Sequence, residues 1–527
     1  MEIKGVGSRI VLRISQVSHF RRLDNILDFS HVWIDGSPMG SGKTWISGAL
    51  AIKKNLPLYV VCPKNVQSVW EDMARRVGID IAIYSYEAFR GSRFSQPKSG
   101  LLKRVDSDMV NENGKLLHHK VEFFATEYLK QLIDNGIMFI FDEGQRLKNG
   151  TSQNLAARKV ARMILSSETG LSRLGLLSGT MYDKEEHCVQ FLNLIGYLRH
   201  EKLVHYIPST RELKLLGLSE IIDACLKIGK ELTEGILATN VGIMNAKNAR
   251  KIAYNLYTGV VLKKIGSVAP PPIGVEVDIA NGFYRMEDRK IAEYVQNLQL
   301  LVSSGKSFLG EFTKILMKLE ETKLATMTRL ARNVLESEEN SKVILFVNYK
   351  ASVEKLSKDL DEYGPLRYYG DIADSTKRMF LKAFQAPNSD YRLFVATLHS
   401  GGMGISLHDT NGRFPRRVFG IPNFSAIEMQ QATYRIFREG TKSNGKVRFI
   451  YDYETGELET RMLDILHRKT TVLEDQIMEN RGKMIFPGDY PSEYENSHPE
   501  IRKSEIKIVN DDENVSDEDV GDDFEET

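Results

Sequence analysis

The sequence predicts an α/β protein of two tandem lobes, each a doubly wound parallel sheet, with a helical insertion and linker between them. Three observations carry this expectation. Short β-branched and aromatic runs bounded by turn residues alternate with helix-period segments, the pattern of βαβ units. The alternation occurs twice, near residues 31–180 and again near 342–451, with a stretch of different character between. At 527 residues the chain is too long for one core, since domains run to about 100–200 residues.

The first set opens with a strand, His31 to Asp35, that runs into Gly36-Ser37-Pro38-Met39-Gly40-Ser41-Gly42-Lys43-Thr44. Gly40 and Gly42 let the backbone curl so that successive N–H groups point at phosphate oxygens, with the positive end of the helix beginning near Lys43 behind them. Met39 to Thr44 are therefore the expected nucleotide-binding residues. Lys43 reaches the β and γ phosphates, and the Thr44 hydroxyl holds Mg²⁺. The strict pattern has Gly where this chain has Ser37, and a Gly-rich turn before a helix is the bland alternative. Gln16 leads a helical pattern about two dozen residues upstream. It is placed to hydrogen-bond adenine or to be an ordinary surface side chain.

Next come Leu58-Tyr59-Val60-Val61-Cys62, a helix containing Val66, Val69, Trp70 and Met73, and a second unit at Ile81 to Tyr86. Residues 91–120 lose the pattern and read as an insertion or mobile loop. The sheet resumes at Ile137 to Phe141 and ends in Asp142-Glu143-Gly144-Gln145. A carboxylate pair at the carboxyl end of a buried strand is costly without a cation to hold. Asp142 is expected to hold Mg²⁺ through water, and Glu143 to orient or deprotonate the attacking water. Leu174 to Leu177 then runs into Ser178-Gly179-Thr180, a small polar turn suited to sensing the nucleotide.

Residues 201–340 read as helical protrusions and a linker, with Lys263-Lys264, a stiff Pro270-Pro271-Pro272, and helical patterns at about 285–302 and 308–335. The second alternating set has no phosphate loop. It contains Gly401-Gly402-Met403-Gly404, which permits close backbone approach, and Gln431-Ala432-Thr433-Tyr434-Arg435-Ile436-Phe437-Arg438. Arg435 and Arg438 fall on one helical face. Alone they read as surface ion-pair formers; opposite a nucleotide site they read as arginine fingers.

Composition narrows the class. No apolar run approaches the ~18 residues of a membrane span, and Met1-Glu2-Ile3-Lys4 begins neither a signal core nor a transit pattern. Cys62, Cys188 and Cys225 are too few and scattered for a disulfide framework or zinc site. The expectation is a protein of the nucleus or cytoplasm, or of a viral replication site or virion, neither secreted nor membrane-bound. Residues 511–527 hold ten of the 70 acids and no Lys or Arg, which leaves 71 bases against 60 acids on the rest, a net +11. Such a body suits a polyanion, and the acidic tail reads as disordered, a solvated end or a site for a protein partner.

Taken in order, these stretches resemble the motif series of the superfamily 2 helicases and translocases, and especially the Swi/Snf-type DNA-dependent ATPases. The resemblance covers about residues 16–480. It rests on Val61-Cys62-Pro63-Lys64 with Trp70-Glu71, on Ser85-Tyr86-Glu87, on Asp142-Glu143-Gly144-Gln145-Arg146-Leu147-Lys148-Asn149, and on Gln431-Ala432 with Arg435, Arg438 and Gly440. Departures are Gln145 for His, Met181 for Pro, Ser406 for Asn, Thr441 for Gln, and Thr397 one place early. The chain is similar to the compact motors of large DNA viruses and cells.

The resemblance implies RecA-like lobes closing on ATP–Mg²⁺. The catalytic set would be Lys43, Asp142, Glu143, Gln431, Arg435 and Arg438, with coupling through Gln145, Ser178, Gly179, Thr180, Gly402 and Gly404. The expected divisions are an ATP-binding lobe at 1–200, protrusions and linker at 201–340, a second lobe at 341–486, and an irregular acidic end at 487–527. The expected activity is ATP-dependent translocation on nucleic acid, DNA before RNA, duplex or single-stranded. A strand-separating DNA or RNA helicase and a nucleotide-gated scaffold with feeble ATPase are the rivals.

Overall fold

The computed structural model describes residues 1–5, 7–110, 116–200, 202–207, 212–239, 244–269, 275, 277–284, 309–401, 405–438, 440–452 and 456–475. The acidic tail, the helical pattern expected at 285–302 and the glycines Gly402 and Gly404 lie outside them.

Two six-stranded sheets organise the chain, and every neighbouring pair of strands in both is parallel. In spatial order the first is Gly266–Ser267, Val32–Asp35, Arg173–Leu177, Met138–Asp142, Leu58–Val61 and Ile81–Tyr84. The second is Val277–Tyr284, Gly445–Asp452, Arg416–Gly420, Lys342–Val347, Leu393–Thr397 and Leu366–Tyr368. Strands such as Val32–Asp35, Met138–Asp142 and Leu393–Thr397 are buried at every position. Helices on both faces require this, which is why these strands read as continuous apolar runs. The two RecA-like lobes of the expected α/β class are thus present.

Each sheet has one strand that periodicity did not indicate. Gly266–Ser267 pairs with Ile34 and Asp35, and Val277–Tyr284 pairs over eight residues with Gly445–Asp452. Both flank the proline run, so the stretch expected as helical protrusions and a linker also gives a strand to each sheet. Helices Leu216–Thr239 and Ala246–Leu256 place Leu218, Ile221, Ala249 and Ile252 in the first core. Helix Leu309–Ser337 places Leu324, Met327 and Ala331 against the second sheet. Within the segment expected as a mobile insertion, Leu102–Val110 and Leu116–Ala125 form an antiparallel hairpin outside the main sheet.

The second lobe is closed by helix Gly456–Glu474. Lys323, on the long helix, and Glu459, on the closing one, form an ion pair, their side chains 1% and 2% exposed. Glu459 also accepts the Asp452 N–H at the end of the last strand. Breaking a buried pair by removing one partner typically costs about 3–5 kcal/mol, because the other charge is left in a low-dielectric interior. Lys323→Met is therefore expected to lower unfolding free energy by that order in urea titration. Adding Glu459→Leu should recover much of the loss.

Candidate nucleotide site

The loop after Val32–Asp35 lies at the carboxyl end of its sheet, where ligands bind in open α/β folds. Its shape depends on two glycines at positive φ, Gly40 at 81° and Gly42 at 91°. A Cβ on Gly42 would lie 2.0 Å from Gln16 Nε2, and one on Gly40 would lie 2.5 Å from Arg438 Cβ. Either substitution meets both backbone strain and a collision. Helix Lys43–Lys54 follows with its N-terminus facing the loop. Lys43 Nζ donates to the Ser37 and Pro38 carbonyls at 2.7 and 3.2 Å, bonds it must exchange to reach a phosphate.

A cavity of about 600 Å³ opens between the lobes over this loop. The first lobe contributes Gln16, Met39, Gly40, Gly42, Lys43, Thr44, Asp142 and Glu143, and the second contributes Ser406, His408, Arg435 and Arg438. Residues some 400 positions apart in sequence, such as Met39 and Arg435, therefore share one wall; Arg435 Nη2 lies 3.0 Å from Met39 Sδ. Ser41 is buried within the loop, and its carbonyl accepts from Gln16 Nε2 at 3.1 Å. Gln16 Oε1 accepts the Arg13 N–H at 3.1 Å, so the glutamine buttresses the loop with both ends of its amide.

Asp142 is buried, with Trp70 Nε1 donating to Oδ2 at 2.8 Å and the Glu143 N–H to Oδ1 at 2.9 Å. Burial, and then the charge of Glu143, push its carboxyl up to about 6 despite the Trp70 bond and nearby Lys43. Glu143 has φ 55°, a left-handed conformation rare outside glycine, and enters the short turn Gly144–Leu147. Its Oε2 accepts from Gln145 Nε2 at 2.8 Å. Gln145 Oε1 accepts from Ser178 Oγ at 2.7 Å, and Ser178 Oγ accepts the Thr180 N–H at 3.1 Å. A Cβ on Gly179 would lie 2.8 Å from the Ser37 carbonyl oxygen, so this turn rests on the phosphate loop. Of the expected coupling set, the structure therefore joins Gln145, Ser178, Gly179 and Thr180.

Arg435 is 2% exposed and Arg438 is partly buried. Arg435 Nη1 donates to the Ile405 carbonyl at 3.1 Å, and Arg438 Nη1 donates to the Ser406 hydroxyl. Arg438 Nε is buried without a hydrogen-bond partner among the described residues. Burial, with mutual repulsion acting on Arg435, lowers the pair to about 9 and about 10, and Glu143 only partly offsets this. Gln431 is buried on helix Ala426–Thr433 and is not one of the residues lining the cavity.

Several contributors were not singled out from sequence. Val11, Trp45, Val66 and Val69 add apolar surface to the cavity lining, and Arg13 lines it as well. Trp45 directly follows the loop's Lys-Thr, an available pointer. His408 lines the other wall and is lowered to about 4 by burial and by Arg438 and Arg416. Away from the cavity, Asp183 receives Lys148 at 3.2 Å and Lys469 at 3.3 Å, the latter from the second lobe's closing helix. Although burial opposes ionisation, the two ammonium groups hold Asp183 well below the usual carboxylate range.

The helicase conserved C-terminal domain family matches residues 323–440. A protein of Acanthamoeba polyphaga mimivirus, named for ATP-dependent RNA helicase activity, is 25% identical over 458 residues, 81% of this chain and 76% of its own. DNA repair and recombination RAD54-like proteins of Drosophila persimilis and Drosophila pseudoobscura pseudoobscura are 29% and 30% identical over 27% of this chain, which is 17% of theirs. The solved Sulfolobus solfataricus SWI2/SNF2 ATPase core in complex with dsDNA covers 90% of this chain and 94% of its own. At 16% identity and a TM-score of 0.30 it adds nothing to the fold described above. Among the described residues, no helix is long and apolar enough to cross a membrane. Residues 323–440 thus match a helicase C-terminal domain, and over four fifths of its length the chain is similar to a protein named as an ATP-dependent helicase, which makes it an ATP-hydrolysing enzyme of helicase kind.

Proposed function

We propose that this chain is a DNA translocase that steps along nucleic acid by closing its two lobes on ATP and reopening them after hydrolysis. The observation that carries the reading is the guanidinium pair Arg435 and Arg438, presented by the second lobe to the first lobe's phosphate loop. Buried cations with depressed pKa beside a glycine loop form a site for a polyanion that is complete only when the lobes meet.

The loop amides and Lys43 would hold the triphosphate. Among the described residues no group of three or more His, Cys, Asp or Glu could hold a metal. Thr44 and Asp142 line the same cavity, a donor set that fits Mg²⁺ shared with phosphate oxygens and water. When bound, that ion neutralises phosphate charge. Glu143 would orient the attacking water and accept its proton. Arg435 and Arg438 would stabilise charge developing on the transferred phosphoryl group. The bonds from Glu143 through Gln145 and Ser178 to Thr180 give the base a mechanical link to the turn packed on the phosphate loop.

DNA is the favoured track because the Arg146-Leu147-Lys148-Asn149 continuation after the strand-end carboxylates resembles the Swi/Snf group. The mimivirus relative's name favours RNA instead. Stimulation of ATP hydrolysis by duplex DNA, but not by RNA, supports the proposal; stimulation by RNA alone overturns the choice. Phosphate contacts should dominate binding and make it salt-sensitive. Protein recruitment through residues 511–527 is a further proposal, resting on their charge alone.

Glu143→Gln is expected to bind ATP and fail to turn it over, read by nucleotide binding alongside steady-state hydrolysis. Arg438→Ala should retain ATP affinity within a few-fold while stimulated turnover drops by ~10³–10⁵, the usual value of an arginine finger.

A pH measurement separates Asp142 from its neighbours. Its folded pKa of about 6 lies above the ordinary 3.8, so the folded, ligand-free protein binds more protons than the unfolded one between those values. Its contribution to stability is thus complete below about pH 4 and lost as pH rises towards 6. Asp142→Asn is expected to flatten that decline in the urea midpoint. Wild-type affinity for Mg²⁺–ATP should weaken below about pH 6, where Asp142 is protonated.

A further inference from the structure

Beneath the phosphate loop is a polar cluster that nothing in the mechanism above uses. His19, Asp35, Ser37 and Ser267 are each 0% exposed. His19 Nδ1 is 2.7 Å from Ser267 Oγ, and His19 Nε2 is 3.1 Å from Ser37 Oγ, so the imidazole bonds both serines in either tautomer. Asp35 Oδ1 accepts the Ser37 N–H at 3.0 Å, and its Oδ2 lies 3.1 Å from His19 Nε2. The Ala269 N–H donates to Ser37 Oγ at 2.7 Å, and the Gly36 N–H donates to the Ser267 carbonyl at 2.9 Å. Arg22, on the same helix as His19, donates to the carbonyls of Lys263 and Gly266 at 2.7 and 3.2 Å.

Ser267 ends the first lobe's last strand, and Ala269 follows two residues later, directly before the proline run that leads to the second lobe's edge strand. Ser37 touches this exit with its hydroxyl and touches Lys43 with its carbonyl at 2.7 Å. A glycine, as the ordinary loop pattern has here, could make only the second contact. Lys43 must leave the Ser37 carbonyl to reach a phosphate, so the residue that registers nucleotide arrival also grips the interlobe connection. We propose that His19, Ser37 and Ser267 are positioning residues that couple occupancy of the phosphate loop to the crossing segment, and hence to movement of the second lobe. The inference rests on the reading of the site as an ATPase stimulated by nucleic acid. The cluster has no access to solvent, so it acts by position and not by chemistry of its own.

The test alters only the linker side. Ser267→Ala removes one hydroxyl, and Ala269→Pro removes one N–H at a residue whose place before Pro270 already favours an extended backbone. In the full-length protein, both are expected to keep basal ATP hydrolysis and ATP KM within about twofold. Stimulation by nucleic acid should fall about tenfold, inside the 5–150-fold range of ordinary coupling between sites. Ser267→Thr, which keeps a hydroxyl, should restore it. Two results overturn the inference: wild-type stimulation in both variants, or basal and stimulated rates that fall together with the melting temperature. If Ala269→Pro does not fold, Ser267→Ala and its Thr rescue decide alone. A wild-type enzyme that no duplex DNA, single-stranded DNA or RNA stimulates would instead remove the functional reading beneath the inference.

Discussion

Closure of this molecule depends on a contact in which one partner has no side chain. Arg438 packs on Gly40, and the guanidinium pair of the second lobe reaches the phosphate loop only because that loop offers bare backbone at positive φ. The arrangement concentrates Lys43, Arg435 and Arg438 with Asp142 and Glu143 around one cleft. Burial disfavours both sets of charges, raising Asp142 and lowering the arginines. A bound polyanion with its counter-ion would offset that desolvation on both sides, the phosphates facing the arginines and the cation facing the carboxylates.

Around this contact the first lobe is braced by amides rather than by charges. Gln16 holds the loop's outer curve and Gln145 joins Glu143 to Ser178, each using donor and acceptor together. A glutamine makes both bonds without any change in its own protonation, which a histidine at position 145 would not guarantee. Trp70 and Tyr86 hold the other side of the strand end, through the Asp142 carboxylate and carbonyl at 2.8 and 2.9 Å. The second lobe is fastened across by Lys469 to Asp183 and by Asp475, which accepts from Tyr254 at 2.7 Å. The closing helix therefore spans both bodies.

Much of this was legible in the amino-acid sequence. The buried strands could be read because a parallel sheet covered on both faces demands unbroken apolar runs. The phosphate loop could be read because glycines, a lysine and a threonine at that spacing have few other uses. Asp142 and Glu143 stood out because carboxylates at the end of such a strand are expensive. In each case the physical requirement acts over a handful of adjacent residues, so it leaves a local trace. The arginines were ambiguous for the same reason: their helix face permits a surface pair or a cleft pair, and only the second lobe's position separates the two.

What tertiary structure alone decided involves partners far apart in the chain. Gly266–Ser267 is too short to show any period, and Val277–Tyr284 carries Asn281 and Gly282 inside its edge strand, so neither reads as a strand until its neighbour is in place. Trp70 and Asp142 are 72 residues apart, and His19 and Ser267 are 248 apart. Ser37 looked like an imperfect glycine until Ala269 was found donating to its hydroxyl. Hydrogen bonds between distant segments are set by the relative placement of whole elements, and that placement follows from summed packing over two cores. No window of sequence contains it.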